Sequence, residues 1–342
     1  MLQGGGARVD GMKCLLSLSL AAAVLSGCGG RSELDLTRRS AERGEVLAQH
    51  NLGLMYSHGH GVARNHAEAF KWFCRAADQG YARAQHNLGL MYSTGLGVAE
   101  DDAQAFQWYL KSAGQGFARA QYAVGRMYAL GEGVVRDDAK AREWLLKAAG
   151  QSEVNAQYSL GAMYGTGRGA VEDSAEALKW FRRAAEQGSD EAQYSLGHMY
   201  FKGTGVPRDE ARALEWFRKS AGQGNATAQY VLGTIHMKDE DSAGNHTGAA
   251  EWFRKSAEQG YAQAQLALGY MYAYGRGIAE DDEQAVKWFR KAAEQGDVGG
   301  QYHLGLAYLE GAGVTRDYDQ AAQWFRKAAE QGISLDDLDL GP

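Results

Sequence analysis

The sequence predicts an all-α fold: a solenoid of eight 36-residue helical-hairpin repeats. Three observations carry this. The eight tryptophans, Trp72, Trp108, Trp144, Trp180, Trp216, Trp252, Trp288 and Trp324, follow one another at a constant step of 36 residues. Alanine recurs three residues before and five residues after every Trp (Ala69 to Ala321, Ala77 to Ala329), and glutamine seven residues after it (Gln79 to Gln331). Strand signals are absent throughout. A fixed period of this length marks a repeat architecture, in which one unit cannot bury its apolar face alone but stacked units can.

The chain opens differently. Met12-Lys13 precedes an apolar run over residues 14–25, which ends in Ser26-Gly27-Cys28. A basic start, a short apolar core and small residues read as a secretory signal over residues 1–27, too short for a membrane span, with Met12 the better start. Leu25-Ser26-Gly27-Cys28 resembles a bacterial lipobox. That resemblance implies cleavage before Cys28 and acylation of its sulfur and its new amine; Gly29 in place of Asp implies sorting to the outer membrane. More than one acyl chain suffices for stable anchoring. Residues 28–39 are then the lipidated Cys and a tether with N-terminal cap: 29–37 reads as tether, and Ser40-Ala41-Glu42-Arg43-Gly44 matches the end of a unit, residues 76–80.

The repeats occupy residues 40–332, and residues 82–116 show one unit. Ala84, Leu88, Met91 and Tyr92 fall on one face of a first helix. Gly89 lies inside it, costing about 1 kcal/mol relative to Ala, and recurs in all eight units from Gly53 to Gly305, which points to close helix–helix approach. Gly95-Leu96-Gly97 follows. A dinucleotide loop needs a preceding strand and a third glycine, and this segment has neither, so the reading is a helix-to-helix turn with glycines at positive φ. Asp101 or Asp102 can cap the second helix, which turns Ala105, Trp108, Tyr109, Ser112 and Ala113 inward, and Gln115-Gly116 ends it. Unit six departs: Met237-Lys238-Asp239-Glu240-Asp241-Ser242-Ala243-Gly244 replaces the glycine turn at unchanged length, and His236 replaces the usual Tyr. Residues 333–342 form an acidic C-terminal cap or tail, where Asp336 and Asp337 replace the Ala-Gln pair of a ninth first helix.

The unit pattern, A-Q-x-x-L-G-x-x-Y-x-x-G-x-G-V-x-x-D-x-x-x-A-x-x-W-x-x-x-A-A-x-x-G, resembles the Sel1-like repeat, a relative of the tetratricopeptide repeat. The resemblance implies a right-handed superhelix with the first helix of each pair on the concave side, and a role in protein–protein interaction.

Composition narrows the chemistry. Net charge is −6 and no basic stretch stands out, which argues against nucleic acid. Cys28 apart, the mature chain holds only Cys74, so no disulfide framework forms. Some secreted Sel1-like proteins carry a disulfide in each repeat and are linked to β-lactam binding or hydrolysis; those cysteines are missing here. Ser-x-x-Lys, Gly-x-Ser-x-Gly and His-Glu-x-x-His are missing too. His58, His60 and His66 cluster at the first turn without a cysteine or carboxylate to complete a metal set, and read as solvated turn residues. The expectation is no enzyme and no cofactor.

Comparison among the units locates a candidate binding face. In the first helices the positions 25, 21, 18 and 14 residues before Trp vary freely, and their spacing makes one helical face. They read Arg83, Asn87, Leu90 and Thr94 in unit two; Arg119, Ala123, Arg126 and Leu130 in unit three; Glu191, Ser195, His198 and Lys202 in unit five; and Gln263, Ala267, Tyr270 and Tyr274 in unit seven. A semi-constant row borders them: His50, His86, Tyr122, Tyr158, Tyr194, Tyr230, Leu266 and Tyr302. Tyrosines beside a variable stripe suit a protein or peptide hot spot, or else pack on the next unit with the hydroxyl wet. The sequence therefore predicts an outer-membrane lipoprotein facing the periplasm, anchored by lipid, which holds a protein or peptide on its concave face. The rivals are a surface-exposed or released factor that engages host proteins, and an envelope enzyme acting on peptidoglycan or β-lactams.

Overall fold

The computed structural model describes residues 29–237 and 243–331, and those residues form 17 helices and no strand. Helix α1 (Gly29–Glu42) is followed by the helix pairs α2 (Val46–His58) with α3 (His66–Asp78) and α4 (Ala82–Thr94) with α5 (Asp102–Gly114), then by α6 (Ala118–Leu130) and α7 (Asp138–Gly150), and then by the pairs α8 (Val154–Thr166) with α9 (Ser174–Glu186), α10 (Asp190–Lys202) with α11 (Glu210–Gly222), α12 (Ala226–Met237) with α13 (Ala243–Glu258), α14 (Ala262–Ala273) with α15 (Asp282–Glu294), and α16 (Val298–Glu310) with α17 (Tyr318–Ala329). The helices group into two compact bodies that divide between Arg136 and Asp137, and the same repeat chemistry recurs within each. Among the described residues no helix is long and apolar enough to cross a membrane. The signal segment, the lipobox with Cys28, most of the unit-six turn and the acidic C-terminal segment lie outside the described residues.

Each hairpin forms for local reasons. The first turn glycine takes the left-handed conformation that ends a helix: Gly95 has φ +67° and its N–H bonds the Met91 carbonyl. The second helix starts at an acidic cap, and Asp101 rather than Asp102 fills that role, accepting from the Gln104 N–H at 2.9 Å. Asn65, Asp137, Asp173, Asp209, Asp281 and Asp317 do the same in their units. Gly89 is where the two helices of a hairpin meet. A Cβ there would lie 2.6 Å from the ring of Tyr109, the residue after Trp108. The helical penalty of that glycine is offset by aromatic packing that any side chain would block.

The second turn glycine has a different task. A Cβ on Gly97 would run into the carbonyl of His66, at the start of the previous unit's second helix, and Gly205 meets Ser174 in the same way. The motif thus spends one glycine on a helix end and the other on contact between units.

Two sets of side chains complete the stack. Gln49, Gln85, Gln157, Gln193, Gln229, Gln265 and Gln301 are buried in the first helices. Each accepts a hydrogen bond from the glutamine 30 residues on, at 2.7–3.0 Å, and donates to a carbonyl near the end of the preceding second helix. Gln193, for example, links Gln223 to the Ala185 carbonyl. Every tryptophan ring is covered by the cation three residues on, from Lys111 over Trp108 at 3.9 Å to Arg183 over Trp180 at 4.8 Å. Such contacts shield the indole and contribute about 0.5–1 kcal/mol each when exposed.

Helix α1 corrects the expected N-terminus. Residues 29–37, read from composition as a tether, belong to the helix, because α1 behaves as a complete second helix. Leu34 and Ala41 are buried, the Ala41 carbonyl receives Gln49, and Arg38 donates to the Tyr56 hydroxyl at 3.0 Å. Arg182, Arg254 and Arg290 donate in the same way to Tyr200, Tyr272 and Tyr308.

Candidate partner-binding face

The variable positions lie on the outward face of the first helices. Arg83, Leu90 and Thr94 on α4, Arg119, Arg126 and Leu130 on α6, Glu191, His198 and Lys202 on α10, Gln263 on α14 and Tyr274 at its C-cap are exposed. Leu130 keeps 54% and Tyr274 47% of its surface in water, which is a large apolar area to leave uncovered. The position 21 residues before Trp (Asn87, Ala123, Ser195, Ala267) is half-buried and mediates contact between units. Asn87 Nδ2 lies 3.2 Å from His50 Nε2, and Ser195 is hydrogen-bonded to the Tyr158 hydroxyl.

The bordering row packs inward on one side. Tyr158, Tyr194 and Tyr230 are half-buried, with ring centroids 5.6–5.8 Å from Phe181, Phe217 and Phe253, the residues that fill the first-helix glycine notches. His50 and Tyr302 are buried against Phe73 and Phe325. Tyr122 is half-buried on α6. Burial raises the hydroxyl pKa of Tyr158 and Tyr194. These tyrosines are packing residues that present an edge to the face.

The face changes character along the chain. In the first body it is cationic and rich in imidazole, with Arg83, Arg119 and Arg126 beside His50 and His86. In the second body Glu191 has its carboxyl pushed up by burial and Asp190, and His198 has its imidazole pushed down by burial and Lys202. Tyr270 stacks on Tyr274 at 6.3 Å and sits 2.6 Å from His303 Nε2 through its hydroxyl.

Burial pushes His50 and His86 down to about 4, with Arg83 and Arg119 adding to it. The unfolded chain takes up these protons near pH 6.5 and the folded chain only near 4. Stability is therefore complete above the unfolded value and falls as pH drops from 6.5 towards 4. Thermal melts across that window are expected to shift down, and His50→Tyr with His86→Tyr, which restores the usual residue of the row, should reduce the shift, leaving the part due to His303, also pushed down to about 4 by burial.

Cys74 is half-buried, and burial with Asp78 pushes its thiol up to about 11, so it is a poor nucleophile at neutral pH. His58 and His60 stack at 5.4 Å, and among the described residues no group of three His, Cys, Asp or Glu is placed to hold a metal ion. The glutamine chain and the Arg–Tyr hydroxyl pairs escaped the sequence reading. The constancy of Gln at two positions 30 residues apart signals the glutamine chain, and no such constancy marks the Arg–Tyr pairs, whose Arg position is Cys74, Leu110 and Leu146 in three units.

Eight consecutive segments, 46–81, 82–117, 118–152, 154–189, 190–225, 226–261, 262–297 and 298–333, match the family model described as Sel1 repeat. Two solved structures are similar over most of the chain. A protective antigen present in uropathogenic Escherichia coli strains, displaying an SLR fold, is 38% identical with TM-score 0.65, over 89% of this chain and 73% of that one. A Sel1 repeat protein from Oxalobacter formigenes is 31% identical with TM-score 0.64, over 89% and 88%. The comparison with curated proteins gives no match.

Proposed function

The chain belongs to the Sel1 repeat family, and from that premise we propose that it is a non-catalytic adaptor holding a protein or peptide on the exposed face of its first helices, fixed to the outer membrane by an acylated Cys28 and facing the periplasm. Repeat scaffolds of this kind fit a protein–protein interaction role. One observation carries the reading. Across eight copies in one chain, variation concentrates on positions that are outward or half-buried, while Trp, the first-helix glycine, the glutamines and the alanines that build the stack hold constant.

The test is site-specific photo-crosslinking in envelopes. A photoreactive residue at Leu90 or Tyr274 should capture a discrete partner, and one at Lys287, exposed on α15, should not. Capture from position 287 alone would place the partner on the second helices and end the assignment. Tyr158→Ala and Tyr194→Ala, which unpack Phe181 and Phe217, should lower stability by about 2 kcal/mol whether or not they also touch a partner. Cys28→Ser should abolish fatty-acid labelling and release the protein from membranes; wild-type protein without label would exclude the anchor. The description of one relative as a protective antigen favours surface exposure as a second reading. Protease shaving of intact cells separates the two, since a periplasm-facing protein survives it.

A further inference from the structure

We propose that the first body's share of this face is a seat for an extended acidic segment of a partner protein, whose carboxylates pair with Arg83, Arg119 and Arg126. The proposal rests on the reading of the first-helix face as a partner site and adds the chemistry of the occupant.

The chain as a whole is acidic, with 42 Asp and Glu against 36 Lys and Arg. Yet α2, α4 and α6 contain no carboxylate at all, and carry three arginines, three histidines and two asparagines. Elsewhere in this body cations are interspersed with carboxylates, but on these three helices they are not, and such a face offers charge complementarity to an acidic partner. Arg83 and Arg119 are exposed, and among the described residues neither pairs with a carboxylate. Arg126 meets Glu132 of the following turn at 2.8 Å, which leaves it a weaker site until that carboxylate is displaced.

The arrangement repeats. Arg83 lies close enough to the His50 imidazole to depress its protonation, and Arg119 does the same one unit on to His86. Asn87 bonds His50; its counterpart beside His86 is Ala123, which cannot, and His86 Nδ1 has no partner. Both imidazoles stay neutral at physiological pH, so the arginines alone set the charge of the face. Guanidinium forks recognise carboxylates two bonds at a time, which a lysine would not do.

Spacing selects the form of the ligand. First helices one unit apart touch through side chains, as Asn87 and His50 do, which puts their axes on the order of 10 Å apart, and an extended chain advances about 3.3 Å per residue. Carboxylates three residues apart on an extended segment therefore match Arg83 and Arg119, one unit apart, while Arg126 lies seven residues, about 10 Å, further along α6 and offers a side contact.

The probe is a fluorescein-labelled peptide of about fifteen residues with Asp at every third position between Ser and Gly, titrated against the full chain by anisotropy. Its Asn analogue and an oligothymidylate of similar length serve as comparisons. The Asp peptide should bind, the Asn peptide should not, and binding should weaken several-fold with added salt. Arg83→Glu and Arg119→Glu should each weaken it at least about fivefold, and Glu132→Gln should tighten it by freeing Arg126. Lys287→Glu on the second body should change nothing. Equal binding of the Asp and Asn peptides, indifference to the arginine reversals, or tighter binding of the oligothymidylate overturns the proposal. If crosslinks from Leu90 persist in the arginine variants, the face remains a partner site and only its acidic ligand is wrong. If those crosslinks never form, the broader reading falls as well.

Discussion

Gly205→Ala is expected to cost about 3 kcal/mol or more, and Gly188→Ala only about 1, although each adds one methyl at a glycine with positive φ. Gly188 has φ +98° and open space around it, with no atom within 4 Å of the methyl that alanine would bring. Its substitution meets the left-handed backbone penalty alone, offset in part by the lower entropy of the unfolded Ala chain. Gly205 has φ +67°, and its methyl would collide with the carbonyl of Ser174, where α9 begins. Backbone cannot swing aside as a side chain can, so neighbouring units must part. Ser152 offers the reverse experiment. It stands at φ +66° where Gly116 and Gly188 occupy the same place in adjoining units. Ser152→Gly should gain about 1 kcal/mol by removing that strain. Urea melts of the three variants check the order, and equal losses for Gly205→Ala and Gly188→Ala would mean that unit contact at the second glycine is not tight.

The same glycines show what a sequence discloses. Trp at a constant step makes the hairpins legible, because the apolar period and the caps around each Trp are local. An acidic cap at Asp101 or Asp102 and Gly89 as a point of close approach follow from propensity, and only the structure selects Asp101. The division of labour in Gly95-Leu96-Gly97 is not legible, since the second glycine answers to His66, a residue on another helix. Gln79 and Gln49 stand out in the sequence as constant positions, but their bond depends on how helices lie across each other. At the N-terminus Leu36 stands where a Trp would mark a unit, so the place of Gly29–Glu42 as a second helix shows only in the packing of Leu34 with Leu52 and in the Gln49 and Tyr56 bonds. The exposed stripe is legible because eight copies show which positions are free. The tyrosine row is not, because a half-buried ring at Tyr158 or Tyr194 satisfies packing and recognition with the same spacing.

Gln193→Leu is the second large effect, at about 1–3 kcal/mol. Gln193 is buried; its amide donates to the Ala185 carbonyl at 3.1 Å and its oxygen accepts from Gln223 Nε2 at 2.7 Å. Leucine fills similar space but takes both bonds away: the Ala185 carbonyl keeps only backbone donors such as the Gly188 N–H at 3.1 Å, and the Gln223 amide loses its protein acceptor. Gln223→Leu should cost less, because Gln223 is exposed and leaves only one lone pair of Gln193 unanswered. With both replaced, the Gln223 amide is no longer orphaned, so the double variant should lose less than the two single losses combined. That coupling is the signature of a chain of bonds rather than of separate contacts. Since Gln193 joins α10 to the preceding unit through Ala185 and to its own hairpin through Gln223, its loss weakens a nearest-neighbour interface on which a repeat stack depends. The melt of Gln193→Leu should broaden or split while Gln223→Leu keeps a single transition. Additive losses with a single sharp transition in both would show that the glutamines are only space-filling and that unit coupling comes from apolar packing alone.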